Sequence, residues 1–275
     1  MLNKLFNFIF FSCFFSKLFV FTFSLPLITR NYLLNNDLQI TNFNEPINVI
    51  EPINVIEPIN VIEPYYRDYN KYKTNVSCIL FFTGGSSFIR PKIYNNFFTK
   101  LSDNNFAVYT PSFNYKNITN LINTLSDNYK EVIIAGHSSG ATVALNNCYN
   151  NKIKKLILLD PVNTRIFDIN SLFSIPNINS IIYFNAMKSY KITFDPFGLP
   201  FIPFLRIKNN NLVLNNNCSI VNINSDKFGH ADILDKPYGD FMHFTRIAVG
   251  NKNRSLTSID NYHKWISDNI KKIFG

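Results

Sequence analysis

Residues 131–145 read EVIIAGHSSGATVAL, and this stretch constrains the fold more than any other. An apolar run of strand character meets Gly136-His137-Ser138-Ser139-Gly140, and a helix of small residues follows. A G-x-S-x-G placed between a strand and a helix requires a sharp, strained turn that lifts the central side chain above a sheet. Side chains at Gly136 and Gly140 would collide with neighbouring strands, which explains both glycines in a chain that has only nine. Ser138 is therefore the candidate nucleophile, and the helix start beneath it offers N–H groups to an anion. His137 adjoins the serine in sequence and is expected to point away from it.

The flanking sequence has the matching rhythm. Short apolar runs at 76–82, 106–109, 131–135, 153–159, 180–184 and 219–223 alternate with helical segments at 91–102, 117–130 and 139–150. That alternation predicts a mostly parallel sheet with helices on both faces. At the end, Leu256, Ile259, Tyr262, Ile266, Ile270 and Ile273 recur at helical spacing, which predicts an amphipathic closing helix over 255–274.

Two other segments precede this catalytic unit, which is expected to span 65–275. Residues 1–25 place Lys4 before a Phe-rich run interrupted by Lys17, as in a secretory signal peptide or signal anchor. They predict a secreted or membrane-anchored protein of the secretory pathway. Residues 26–64 carry three copies of EPINVI, and a proline every six residues blocks both helix and sheet ladder. The tract reads as an extended linker. The net charge of +9 is spread without a basic stripe, so no nucleic-acid partner is expected. Cys13, Cys78, Cys148 and Cys218 show no metal spacing, and a Cys148–Cys218 bridge is the one pairing open to them.

Acyl transfer also needs an oxyanion site, a base and an acid. The run ILFFTGGSSF ends a strand in Thr83-Gly84-Gly85, 55 residues before Ser138. The Gly85 and Ser139 N–H groups are the candidate oxyanion donors. Three histidines follow the serine. His230 lies just after the last strand run, behind Gly229, and is the candidate base; His243 reads as a core or lid residue, and His263 as a surface residue of the closing helix. For the acid, Asp160 ends the run LILLD, whereas Asp195 follows the next strand, the more usual position. Asp232 and Asp235 read as caps of a short helix after His230.

Three blocks, GHSSG at 136–140, LDPV at 159–162 and GHADILD at 229–235, together resemble the chlorophyllase-like branch of the α/β hydrolases. The resemblance spans about 76–240. It implies the α/β-hydrolase fold, an ester hydrolase, Asp160 as the acid and His230 as the base. Thr83-Gly84 stands where the family usually has His-Gly, and Ser139-Gly140-Ala141 where it usually has Arg or Met and then Gly-Gly. The expected substrate is a small hydrophobic ester, with no cofactor and no metal. An apolar cover over 190–211, rich in phenylalanine, suits such a ligand. A lipase, a polyester-cleaving relative or a silent fold used as a binding module would share the same frame.

Overall fold

The computed structural model describes residues 75–275 apart from 86, 88, 112–116, 164–171, 189–192, 195–198, 201–205 and 245–253, with backbone alone for 193–194, 199–200 and 241–244. The leader, the EPINVI tract, Asp195 and most of the expected 190–211 cover lie outside the described residues, as does the side chain of His243.

The chain runs through β1 (Ser77–Phe82), α1 (Asn95–Asp103), β2 (Phe106–Tyr109), α2 (Ile118–Asn128), β3 (Glu131–His137), α3 (Gly140–Asn147) and β4 (Lys155–Leu159). It continues through β5 (Phe173–Ile175), β6 (Ser180–Ala186), β7 (Thr193–Phe194), β8 (Leu199–Pro200), β9 (Leu212–Leu214), β10 (Ser219–Ser225), α4 (Lys236–Phe244) and α5 (Leu256–Phe274). Six strands form one parallel sheet in the order β10-β6-β4-β3-β1-β2. The six predicted strand runs are these six strands. β5 pairs with β9 and β7 with β8 in two small separate ladders.

Burial explains the sequence pattern. All six residues of β1 are buried, and so are six of the seven in β3, because helices cover both faces of the central strands. The strand period of two then sorts side chains to opposite cores. Leu80, Phe82, Ile134 and Leu158 pack against Leu121 and Ile122 of α2 and Ala144 of α3. Ile79, Phe81, Ile133 and Ile157 pack against Phe97 of α1 and Ile266 of α5. Only β10, an edge strand, is largely polar and half exposed.

The closing helix forms as expected, with one shift of face. The Ser255 hydroxyl caps it by accepting the Ser258 N–H at 3.0 Å. Ile259, Tyr262, Ile266 and Ile270 are buried, but Leu256 is 71% exposed and Phe274 takes the inward position at the far end. Cys78, Cys148 and Cys218 are free thiols, so Cys148 and Cys218 do not pair. Among the described residues no helix is long and apolar enough to cross a membrane, and no group of side chains could hold a metal ion.

Candidate active site

The parallel register brings the ends of β3, β4 and β6 level: His137 faces Leu159, and Leu159 faces Phe184. Open α/β sheets bind ligands at these carboxyl ends. Ser138 follows β3, Asp160 follows β4, and His230 lies in the segment after β10.

Ser138 is left-handed, with φ of 55°. A non-glycine residue there costs roughly 1–2 kcal/mol. The surroundings hold it in place. Its N–H donates to the Leu159 carbonyl at 3.0 Å, and its own carbonyl accepts from Ala141 at 3.1 Å and Val162 at 2.9 Å. A Cβ on Gly140 would stand 2.3 Å from the carbonyl oxygens of Phe82 and Thr83, so α3 starts in contact with the end of β1. Gly136 is required for a different reason than the sequence suggests. Its Cβ would meet Gly140 and Ala141 at 2.5–2.6 Å, so it is the start of α3, not an adjacent strand, that excludes a side chain.

His230 lies between the other two groups. Its Nε2 is 2.8 Å from Ser138 Oγ, and its Nδ1 is 2.6 Å from Asp160 Oδ2. A carboxylate only accepts, so Nδ1 carries the proton and Nε2 is left to accept from the serine hydroxyl. Asp160 therefore faces His230 on the side opposite the serine. Asp160 is itself left-handed, with φ of 43°, and its N–H donates to the Phe184 carbonyl at 2.7 Å. Gly229 before the histidine is extended (φ −118°, ψ −178°), a conformation open to any residue.

A buried arginine completes the acid's surroundings, and no sequence motif pointed to it. Arg206 NH2 donates to Asp160 Oδ1. Its backbone is anchored beside the acid by an antiparallel bridge to Val162 and by the Ile207 N–H to the Pro161 carbonyl at 3.1 Å. Burial first, then the Arg206 charge, pushes the pKa of His230 down to about 3, so the imidazole is neutral at physiological pH. Burial pushes Arg206 down to about 10, which leaves it charged.

The oxyanion loop leaves β1 at Thr83. The Thr83 hydroxyl donates to the Ile89 carbonyl at 2.6 Å, and the Thr83 carbonyl accepts the Ser87 N–H at 3.0 Å, so the loop is closed on itself. Gly85 is exposed at its tip with φ of 61°, where only glycine is unstrained. Ser139 stands at the N-cap of α3, next to Ser138.

The GHADILD block serves to hold His230. Asp232 accepts the Gly229 N–H at 2.7 Å, capping the 3-10 turn over His230–Ile233, and pairs with the buried Arg254. Asp235 accepts the Asn96 N–H at 3.1 Å, so it caps α1 rather than the turn beside it. His263 is wholly buried, contrary to the expected surface position. Its Nε2 is 3.1 Å from the Asp232 carbonyl, and its Nδ1 is 3.1 Å from Asn96 Nδ2. The 3-10 turn docks on α5 and turns that helical face inward.

A parallel sheet in this order, with a left-handed serine after β3 and a histidine after the last strand, defines an α/β-hydrolase fold. No protein-family model and no curated protein sequence matches the chain. Among solved structures, it is similar to Est1E from Butyrivibrio proteoclasticus, at 13% identity over 71% of this chain and 88% of that one, with a TM-score of 0.37. The esterase domain of a Rhodothermus marinus protein aligns at 11% identity over 73% and 88%, with a TM-score of 0.41. A soluble variant of monoglyceride lipase from Saccharomyces cerevisiae aligns at 8% identity over 84% and 98%, with a TM-score of 0.39.

Proposed function

We propose that this protein is a serine carboxylic ester hydrolase acting on a small hydrophobic ester through an acyl-enzyme. The observation that carries the reading is the unbroken hydrogen-bonded line from Ser138 Oγ through His230 to Asp160, at the carboxyl edge of the sheet. His230 Nε2 takes the serine proton as Oγ attacks the ester carbonyl. Asp160 orients the imidazole and faces the charge that forms on it. The Gly85 and Ser139 N–H groups receive the oxyanion. The alcohol leaves with the proton from His230, and water then releases the acid by the same route in reverse.

Support for an ester hydrolase comes from the resemblance of the 136–140, 159–162 and 229–235 blocks to the chlorophyllase-like branch, and support for a hydrophobic ester from the phenylalanine-rich sequence of 190–211. The leader would place the enzyme in the secretory pathway, secreted or anchored at a membrane where such esters collect. The reading needs neither a cofactor nor a nucleic-acid partner. The test is covalent labelling of the full-length chain by a fluorophosphonate. Wild type should label, Ser138→Ala should not, and His230→Ala should label at a small fraction of the wild-type rate. Folded wild type that never labels would show that Ser138 is not activated.

A further inference from the structure

Besides the serine line, the described residues hold the Arg254 cluster, exposed apolar side chains such as Tyr149 and Leu172, and a chain of groups between Gly84 and His230. The Arg254 cluster already has its role in holding the 3-10 turn, and nothing shows what would cover Tyr149 and Leu172. The third links the oxyanion loop to His230. The Gly84 N–H lies 2.9 Å from Tyr94 Oη, Tyr94 Oη lies 2.8 Å from His137 Nδ1, and His137 Nε2 lies 3.2 Å from the His230 carbonyl.

The direction of every bond follows from its ends. The His230 carbonyl only accepts, so His137 Nε2 carries a proton and donates. Burial, with a smaller effect from nearby His230, holds His137 well below the usual histidine range, so its Nδ1 is a bare acceptor. Tyr94 must therefore donate to it. The Gly84 N–H only donates, so the same hydroxyl oxygen accepts from it.

We propose that Tyr94 and His137 are positioning residues, a one-way hydrogen-bond relay that ties the oxyanion loop to the backbone of His230. It rests on the hydrolase reading above. The serine-hydrolysis step needs the oxyanion donors and the base in fixed relation to Ser138 Oγ, yet the two lie on segments far apart in sequence. The relay joins them through the residue next to Ser138. Its parts cannot drift. Tyr94 is fully buried, stacked on Phe98 at 5.7 Å and edge-on to Phe81 at 5.4 Å. The His137 ring sits 4.7 Å from that of His230. A Cβ on Gly84 would come within 3.1 Å of Tyr94 Oη and 3.3 Å of His137 Nδ1, so glycine lets the loop backbone reach the relay.

The test uses the full-length chain, p-nitrophenyl butyrate and the fluorophosphonate. Tyr94→Phe keeps the ring packing and removes only the hydroxyl. His137→Asn keeps an acceptor near Nδ1 and loses the donor to His230, whereas His137→Gln keeps a donor near Nε2. The relay predicts that kcat falls by about tenfold in Tyr94→Phe and in His137→Asn, with KM within roughly twofold. It predicts partial recovery in His137→Gln and a double variant, Tyr94→Phe with His137→Asn, no slower than the slower single one. Lower Tm with wild-type kcat and labelling rate in folded Tyr94→Phe and His137→Asn would reduce the relay to a packing feature and leave the hydrolase reading standing. Losses that multiply in the double variant would also overturn it. Wild type that neither labels nor hydrolyses the ester would overturn the hydrolase reading, and the relay's positioning role with it.

Discussion

Replacing Gly140 by alanine tests the elbow at its tightest point. The new Cβ would stand 2.3 Å from the carbonyl oxygens of both Phe82 and Thr83. Real Cβ contacts do not fall below 3.0 Å, so α3 and the end of β1 must separate by at least about 0.7 Å. Neither side is a flexible side chain. Overpacking of this kind costs about 1–3 kcal/mol, or about 2–12 °C in Tm for a domain of this size. The displaced backbone leads directly into Gly84 and Gly85, while α3 carries Ser139 and follows Ser138. Stability and chemistry should therefore fall together, with kcat/KM lower by roughly 100-fold, the scale of an ångström-level misplacement. Thermal melts and ester kinetics on the purified variant give both values. A variant with wild-type Tm and wild-type kcat/KM would mean that α3 does not abut β1 as described, and the account of the elbow would fail.

Ser138→Gly should abolish labelling while leaving stability unchanged or up to about 1 kcal/mol higher, because the left-handed φ of 55° no longer opposes a Cβ; a loss above about 1 kcal/mol in urea melts would count against strain at the elbow. Arg206→Met removes a cation that opposes protonation of His230, so the acid limb of kcat/KM should move to higher pH, with stability lower by roughly 3–5 kcal/mol because Asp160 loses its buried partner; an unmoved limb in folded protein would refute the electrostatic role. The folded state should also lose stability as pH falls. His230 at about 3, His263 at about 4 and His137, also well below 6.5, stay neutral when folded, whereas the unfolded chain protonates all three below about 6.5. Asp235, raised by burial to about 6, acts in the opposite sense, its contribution being lost as pH rises from 3.8 toward 6. The net slope between pH 6 and 4.5 should be positive, up to about 3 kcal/mol per pH unit, and a flat profile of unfolding free energy would contradict it.

Much of this protein is local in sequence. Apolar runs of strand length, buried on both faces, mark β1, β3 and β4 without knowledge of their neighbours. The two glycines around Ser138 announce the elbow because backbone crowding there is set within a few residues. Ser138 and His230 are likewise readable, since each follows a recognisable strand, whereas strand position left the acid open between Asp160 and Asp195. Tertiary structure alone decided which charged and polar groups meet. Arg206 reaches Asp160 from 46 residues away, Tyr94 reaches His137 from 43, and His137 reaches His230 from 93. None of these pairings leaves a period or a motif, because hydrogen bonds across elements depend on register and packing rather than on spacing. The burial of His263 is the same lesson in reverse. Helical periodicity shows which residues share a face, but the docking of the His230 turn onto α5 determines how much of the helix is inside.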